Sequence, residues 1–342
     1  MTETTRDGAR RGRAGRPVSM ADVAREAGVS QQTVSRVVNE QPNVSDATRA
    51  KVVDAIARLG FRPNYAGKTL REGRYKTVGL CTFDLSMAGN SATVEGIVVA
   101  AREQGYAVTM IEMGPELSPY SVVCASRRLS GLPVDGAIIN LTVLPEDFEA
   151  YTPLPGLTTV LMSMYVHPRC TTVESDQYGC GLLVMGHLRE LGHREIRFVG
   201  GPSFHSHSAF REAAWRDELE RAGIVPVEPL RGDWSADSGY EAGVRLAEDA
   251  RMTAVFVAND QMALGVIEAL RDRGRRVPQN VSVVGVDDSL RGVVPHNELT
   301  TVRFDNLERG RVLFARAVEP GPVEAIRIPG KLIERASAAR RR

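Results

Sequence analysis

Hydrophobic and polar positions change their spacing once along this chain. Between Ser19 and Leu59 the apolar residues recur at the three- and four-residue intervals of helices. Beyond Val78 they gather into short continuous runs, VGLCTF, AVTMI, DGAIIN, TTVLM, EIRFVG, TAVFVA and SVVGV, the pattern of parallel strands buried on both faces. A helix-like segment is expected within a few residues of each run. The first stretch therefore predicts a small all-α head, and the second predicts repeated βα units forming a doubly wound α/β body. The count of runs exceeds one ordinary α/β unit, so two similar lobes with a cleft between them are expected.

The head can be read residue by residue. Ser19 is a suitable N-cap, with Asp22 three residues on at the positive end of a helix from Met20 to Ala27. Gly28 can adopt the left-handed conformation that ends this helix. Ser30 can then cap a second helix from Gln31 to Asn39 after a turn of about three residues, which is helix-turn-helix geometry. Ala24, Ala27 and Val29 are small enough for the helices to cross closely, and Val34, Val37 and Val38 form the inward stripe. A third helix follows Ser45, with Val52, Ile56 and Leu59 on its buried side.

Opposite the valine stripe, Gln31, Gln32, Ser35, Arg36 and Asn39 share one side of the second helix. Glutamine can bond an adenine edge through two hydrogen bonds and arginine can do the same to guanine, while Ser, Thr and Asn commonly anchor to phosphates. Any single helix of this kind could equally be a solvated polar face on a small bundle. The turn glycine, the helix lengths and the local charge together favour a recognition helix for DNA.

Charge separates head from body. Residues 1–76 hold 15 Lys and Arg against 8 Asp and Glu, leaving 28 against 34 for the remainder of the 342 residues, so the net charge of +1 conceals a basic head on a slightly acidic body. That asymmetry suits a polyanion-binding head. Residues 1–16 lack hydrophobic periodicity and are expected to form a disordered basic arm, whose RGRAGRP stretch could enter a minor groove or remain a solvated tail. The 43% hydrophobic and 25% charged content is that of a globular protein, long enough for about two or three domains. Cys81, Cys124, Cys170 and Cys180 show no CxxC pairing, which reads as reduced thiols in a cytoplasm. Neither an export signal nor a run of roughly 18 apolar residues is found, so no membrane partner is expected.

In doubly wound sheets, ligands lie beyond the carboxyl ends of the strands. Candidates there include GGPSFHSHSAFR with Arg211, NDQMALG with Asn259 and Asp260, and Asp287 with Asp288. GDWSADSGY adds Trp234 in a polar turn. An indole beside Asp, Asn and Arg can cover the apolar face of a sugar while the polar groups take hydroxyls. Each has a plainer alternative: Asn259 or Asp260 could cap the following helix, Asp287 could cap or close a turn, and Trp234 could be core. His205 and His207 could add contacts or be incidental. Asp287, Asp288 or Asp260 could be imagined as paired carboxylates for glycoside hydrolysis, but adjacent residues usually point apart. With no nucleophile motif or metal-ligand cluster either, the chain is not expected to be an enzyme or to need a cofactor.

ADVAREAGVSQQTVSRVVN, followed by VSDATRAKV and FRPN, resembles the DNA-binding head of the lactose repressor (lacI) family of bacterial transcription regulators. GDWSADSGY, VANDQMALG and SVVGVDD resemble the family's sugar-pocket segments, and the resemblance spans roughly residues 18–336. It implies base-reading roles for Gln31, Gln32 and Arg36 and phosphate-anchoring roles for Ser30, Thr33, Ser35 and Asn39. Within NYAGKTLREG it implies a hinge helix whose Leu70 wedges between base pairs in the minor groove. The family pattern expects alanine where this chain has Gly67, a change that costs roughly 1 kcal/mol of helix stability.

The implied effector contacts are Arg211, Trp234, Asn259 and Asp287. Leu144 falls near the place where the resemblance expects a ligand-contacting aspartate, so the sugar is expected to differ. The implied fold is a periplasmic-binding-protein-like body behind the helix-turn-helix head. The implied function is repression of carbohydrate-utilisation genes by a cytoplasmic, nucleoid-associated homodimer on palindromic double-stranded operator DNA, released by a sugar or glycoside inducer. A corepressor-dependent regulator of the same fold is the alternative, and a sugar-binding transport receptor a more distant one.

The expected division is a basic arm at 1–17, the head at 18–62, the hinge at 63–76, the body at 77–336 and a basic tail at 337–342. Within the body the first lobe is expected to take about 77–163 and 304–320, and the second about 164–303 and 321–336.

Overall fold

The computed structural model describes residues 18–61, 73–83, 88–113 and 121–341, arranged as a head ending at Gly73 and a body beginning at Arg74. The basic arm, Gly67 and Leu70 lie outside the described residues.

The head contains α1 (Met20–Ala27), α2 (Gln31–Val38) and α3 (Asp46–Leu59). Ser19 and Asp22 form a reciprocal capping box at the start of α1, satisfying backbone donors that the first turn leaves without partners. Gly28 ends α1 at φ 67°, where a Cβ would be strained. Ser30 and Ser45 cap α2 and α3 by accepting from Thr33 N and Thr48 N. Asn39 is the C-cap of α2, and its side-chain amide donates back to Ser35 O at 2.7 Å. Val23, Val34, Val37, Val52, Ala55 and Phe61 make the head's core, with Val38, Ile56 and Leu59 packed partly against it.

In the body, the first half runs β1 (Thr77–Thr82), α4 (Ala88–Glu103), β2 (Ala107–Glu112), α5 (Val122–Ser130), β3 (Gly136–Asn140), β4 (Thr158–Met162) and β5 (Thr171–Ser175). The chain continues through α6 (Gln177–Glu190), β6 (Ile196–Gly200), α7 (Ser206–Arg221), β7 (Leu230–Arg231), α8 (Ala236–Ala247), β8 (Ala254–Val257), α9 (Asp260–Asp272) and β9 (Ser282–Val286). It ends with β10 (Thr300–Phe304), α10 (Asn306–Val318), β11 (Ala325–Ile328) and β12 (Gly330–Ile333). The first sheet has the order β11-β5-β4-β3-β1-β2, all parallel. The second has the order β12-β10-β9-β8-β6-β7, parallel except for the antiparallel pair β10 and β12. Each sheet carries helices on its faces, so β3, β6, β8 and β9 are buried along their whole length.

All seven apolar runs are strands, but three expectations need correction. No helix follows β3, β4 or β9 before the next strand; Leu141, Phe148, Tyr151 and Leu157, from the segment after β3, bury themselves in the core on that side of the sheet instead. The strand TTVES, β5, was missed because Glu174 interrupts its apolar pattern, and this carboxylate tolerates burial through an ion pair with Arg309. The lobe division also shifts, since β5 and β11 pair with each other in the first sheet while residues 164–175 and 321–328 were expected in the second lobe.

The chain thus passes between the sheets three times, from β5 to α6, from β10 to α10 and from β11 to β12. Gln177, Phe304 and Asn306, at the first two crossings, line a cleft of about 310 Å³.

Candidate functional site

On α2, Gln31, Gln32 and Arg36 are exposed along one side, while Val34 and Val37 are buried on the other. Ser30 and Thr33 are linked at 2.9 Å between their hydroxyls, and Ser35 lies under the Asn39 amide at 3.3 Å. The small hydroxyl residues therefore brace the ends of the helix, leaving two amides and a guanidinium displayed on its outer face.

The cleft in the body is formed by residues beyond the carboxyl ends of the strands. Arg211, Trp234, Asn259 and Asp287, four residues from widely separated segments, all line it. Arg211 is 3% exposed, and its guanidinium is held from three sides: Gln177 Oε1 accepts from Nε and Nη2 at 2.9 and 2.6 Å, Ala258 O accepts from Nη1, and Asp287 Oδ1 lies 3.4 Å from Nη2.

Asp287 and Asp288 both have positive φ, 102° and 51°, and their carboxylates diverge. Asp287 faces the cleft. Asp288 is almost fully buried between Arg303 and Arg335, accepting from both at 2.6 Å.

Asn259 performs two tasks. Its Oδ1 accepts from Met262 N and caps α9, as the plainer reading had it, while both hydrogens of Nδ2 are committed to Trp234 O and Gln261 Oε1. The cap and the cleft wall are one residue. Trp234 sits at φ 78°, with its ring close over Gly201, where a Cβ would lie 2.3 Å from the indole. Its Nε1 donates to His205 Nδ1 at 2.9 Å, so His205 braces the indole from behind, whereas His207 lines the cleft itself. Leu144 is exposed and is not part of the cleft wall.

Sequence reasoning missed the opposite wall and the floor. Asn90, Asn306 and Arg309 supply polar groups from α4 and α10. Gly96 and Gly310 let these two helices touch backbone to backbone, which brings Arg309 Nε within 3.0 Å of Thr93 Oγ1. A buried arginine inside an amphipathic helix leaves no signature in hydrophobic spacing. Beneath lies Glu174, 1% exposed, paired with Arg309 and 3.3 Å from His207 Nε2. Burial alone would raise its pKa, but Arg309 and His207 outweigh that and hold it at about 2. Asp260 shows the opposite balance, pushed up to about 7 by burial and by Asp287, although Thr301 Oγ1 and Ser289 N donate to it at 2.7 and 2.8 Å. Among the described residues no group of three or more His, Cys, Asp or Glu could hold a metal ion, and no helix is long and apolar enough to cross a membrane.

Comparison with known proteins places these features in a family. Residues 19–64 match the bacterial regulatory proteins of the lacI family, and residues 185–338 match the periplasmic binding protein-like domain. The lactose operon repressor of Escherichia coli (strain K12) is 33% identical over 329 residues, covering 94% of this chain and 90% of the relative. The chain belongs to the lacI family of bacterial regulatory proteins. Two solved structures align with this lacI-family chain over nearly its whole length. A lac repressor dimer bound to operator and the anti-inducer ONPF has a TM-score of 0.78 at 29% identity, covering 95% of this chain and 100% of that one. A complex of the transcriptional regulator CelR with cellobiose has a TM-score of 0.65 at 30% identity, covering 94% and 99%.

Proposed function

We propose that this lacI-family protein is a dimeric transcriptional repressor that reads a palindromic operator with Gln31, Gln32 and Arg36 and is released when a sugar occupies the cleft of its body. Ser30, Thr33, Ser35 and Asn39 anchor the phosphates beside the reading positions. The genes it controls belong to carbohydrate use. The observation that carries the reading is the convergence of Arg211, Trp234, Asn259 and Asp287 on one cleft in a chain that also bears the helix-turn-helix head.

The chemistry is that of a ligand-biased equilibrium. Sugar binding favours one arrangement of the body, and a coupling of about 1–3 kcal/mol between the cleft and operator binding changes operator affinity roughly 5- to 150-fold. A dimer presents two heads, so each half of a two-fold symmetric operator receives one. The relatives support both ligands: the lac repressor dimer is bound to operator and an anti-inducer, and CelR to cellobiose.

The test is anisotropy titration of the full chain against a library of palindromic duplexes, repeated with a panel of mono- and disaccharides. Selective binding weakened by one sugar supports the reading. Binding that requires the sugar makes the protein a corepressor-dependent regulator, and absence of any preference over random DNA overturns both.

A further inference from the structure

The cleft walls hold both signs of charge, and almost every charged donor already has a protein partner. A guanidinium carries five N–H groups. In Arg309 all five are engaged: Nε and Nη2 with Thr93 Oγ1, Nη2 also with Gly89 O, and Nη1 with Glu174 Oε1 and Ser175 Oγ. In Arg211 four are engaged, by Gln177, Ala258 and Asp287, which leaves one on Nη1. A single N–H can meet a hydroxyl, but it cannot make the paired fork that an arginine uses to clamp a phosphate or carboxylate.

The acceptors tell the complementary half. Asp287 Oδ2 makes no hydrogen bond among the described residues, although Oδ1 is tied to Arg211. Asp233, also on the cleft, has its Oδ1 taken by Ser235 N and Oγ and is held at about 2 by those bonds, so it stays ionised. An incoming anion would face both carboxylates. It could gain a paired arginine fork only by displacing Gln177 or Asp287 from Arg211 or the buried Glu174 from Arg309, and displacing either carboxylate leaves it without its counter-ion. The neutral amides of Gln261 and Asn306 and the Trp234 ring complete a surface suited to hydroxyl donors.

We propose that the cleft selects an uncharged sugar and rejects its phosphorylated and carboxylated forms, with Asp287 as the residue that enforces the selection. The proposal rests on the sugar-effector reading above and narrows it. Asp287 acts twice: its open oxygen accepts ligand hydroxyls, and its occupied oxygen, with Gln177, keeps Arg211 from serving as an anion clamp.

Calorimetry on the full-length chain tests this with matched probes: glucose, galactose, cellobiose and lactose, each beside its 6-phosphate and its uronic or aldonic acid, together with glucosamine and galactosamine. The expected result is that the neutral member of any binding pair is preferred by 100-fold or more. Asp287→Asn should weaken the neutral sugar at least tenfold while narrowing that ratio, because it removes the negative charge that repels an anion and offsets Arg211. A charged member that binds as well as its neutral partner, an amino sugar that binds more tightly than its parent, or a ratio unchanged by Asp287→Asn overturns the proposal and leaves the sugar-effector reading standing. Absence of heat from every neutral and charged probe overturns both.

Discussion

Trp234 Nε1 donates to His205 Nδ1 at 2.9 Å, and the two rings stack with centroids 5.9 Å apart at an angle of 28°. His205 occupies the N-cap of α7 yet makes no side-chain capping bond, a position where Ser, Asp or Asn would ordinarily contribute about 1 kcal/mol. The imidazole is committed to the indole instead. Replacing His205 by alanine should free the Trp234 ring while leaving the sheet intact, and His205→Gln, which can still accept from Nε1, should restore it. The chain has two tryptophans, so in a Trp215→Phe background the fluorescence reports Trp234 alone. His205→Ala should increase acrylamide quenching and weaken sugar binding by about tenfold, roughly 1.4 kcal/mol. Unchanged quenching would separate the two rings functionally.

The exposed face of α2 yields a prediction with its own internal control. Gln31, Gln32 and Arg36 pack against nothing in the head's core, so alanine at each should leave the thermal midpoint nearly unchanged. Each loss should cost about 1–3 kcal/mol of operator affinity and relax preference at one base pair, as expected for a side chain that makes two bonds to a base. Ser30→Ala is different, because its hydroxyl caps Thr33 N and its removal should also destabilise α2 by about 1 kcal/mol. Circular dichroism melts beside anisotropy titrations distinguish the two classes.

How far the sequence speaks for itself depends on whether a feature is local. The head was legible because caps, turn glycine and valine stripe lie within one stretch of chain, and α1 begins and ends where Ser19 and Gly28 imply. The seven apolar strands were legible for the same reason. β5 was not, since the burial of Glu174 depends on Arg309, 135 positions away. The residues of the second-lobe wall could be named from four short segments, but the roles of Asn90, Asn306 and Arg309 arise from the contact of α4 with α10, which no local pattern encodes. Asn259 shows that a capping residue need not lie away from the cleft, since the same side chain caps α9 and lines the cleft wall.

Asp287 and Asp288 are neighbours with separable effects. Asp288 is locked between Arg303 and Arg335 away from the cleft, and its carboxylate is 1% exposed. Asp288→Ala should leave two arginines without their counter-ion and lower stability by about 2–3 kcal/mol, less than for a fully buried pair because Arg303 is 38% exposed. Asp287→Ala should change stability far less and abolish the response to sugar. Urea denaturation of both variants, with operator release measured in parallel, checks the contrast; equal loss of stability in the two would mean that the cleft carboxylate is structural.

Two buried carboxyls predict opposite responses to pH. Asp260 is fully buried and is pushed up from 3.8 to about 7 by burial and by Asp287, so the folded protein keeps a proton that the unfolded chain releases. Stability from this group is therefore complete below pH 3.8 and lost as pH rises toward about 7, with a slope of at most about 1.4 kcal/mol per pH unit for one proton. Glu174 is lowered from 4.5 to about 2, so its contribution is complete above pH 4.5 and lost as pH falls toward about 2. Acting together they favour a stability maximum close to the narrow interval between 3.8 and 4.5. Asp260→Asn should flatten the limb above that interval. It also turns an amide hydrogen toward a site where Ser289 N and Thr301 Oγ1 both donate, so a constant loss of about 1 kcal/mol is expected at every pH. Urea denaturation of the wild type and Asp260→Asn across this range separates the effects, because the lost hydrogen bond shifts the curve vertically while the missing titration changes its slope. A slope that survives the substitution would assign the titration to another group.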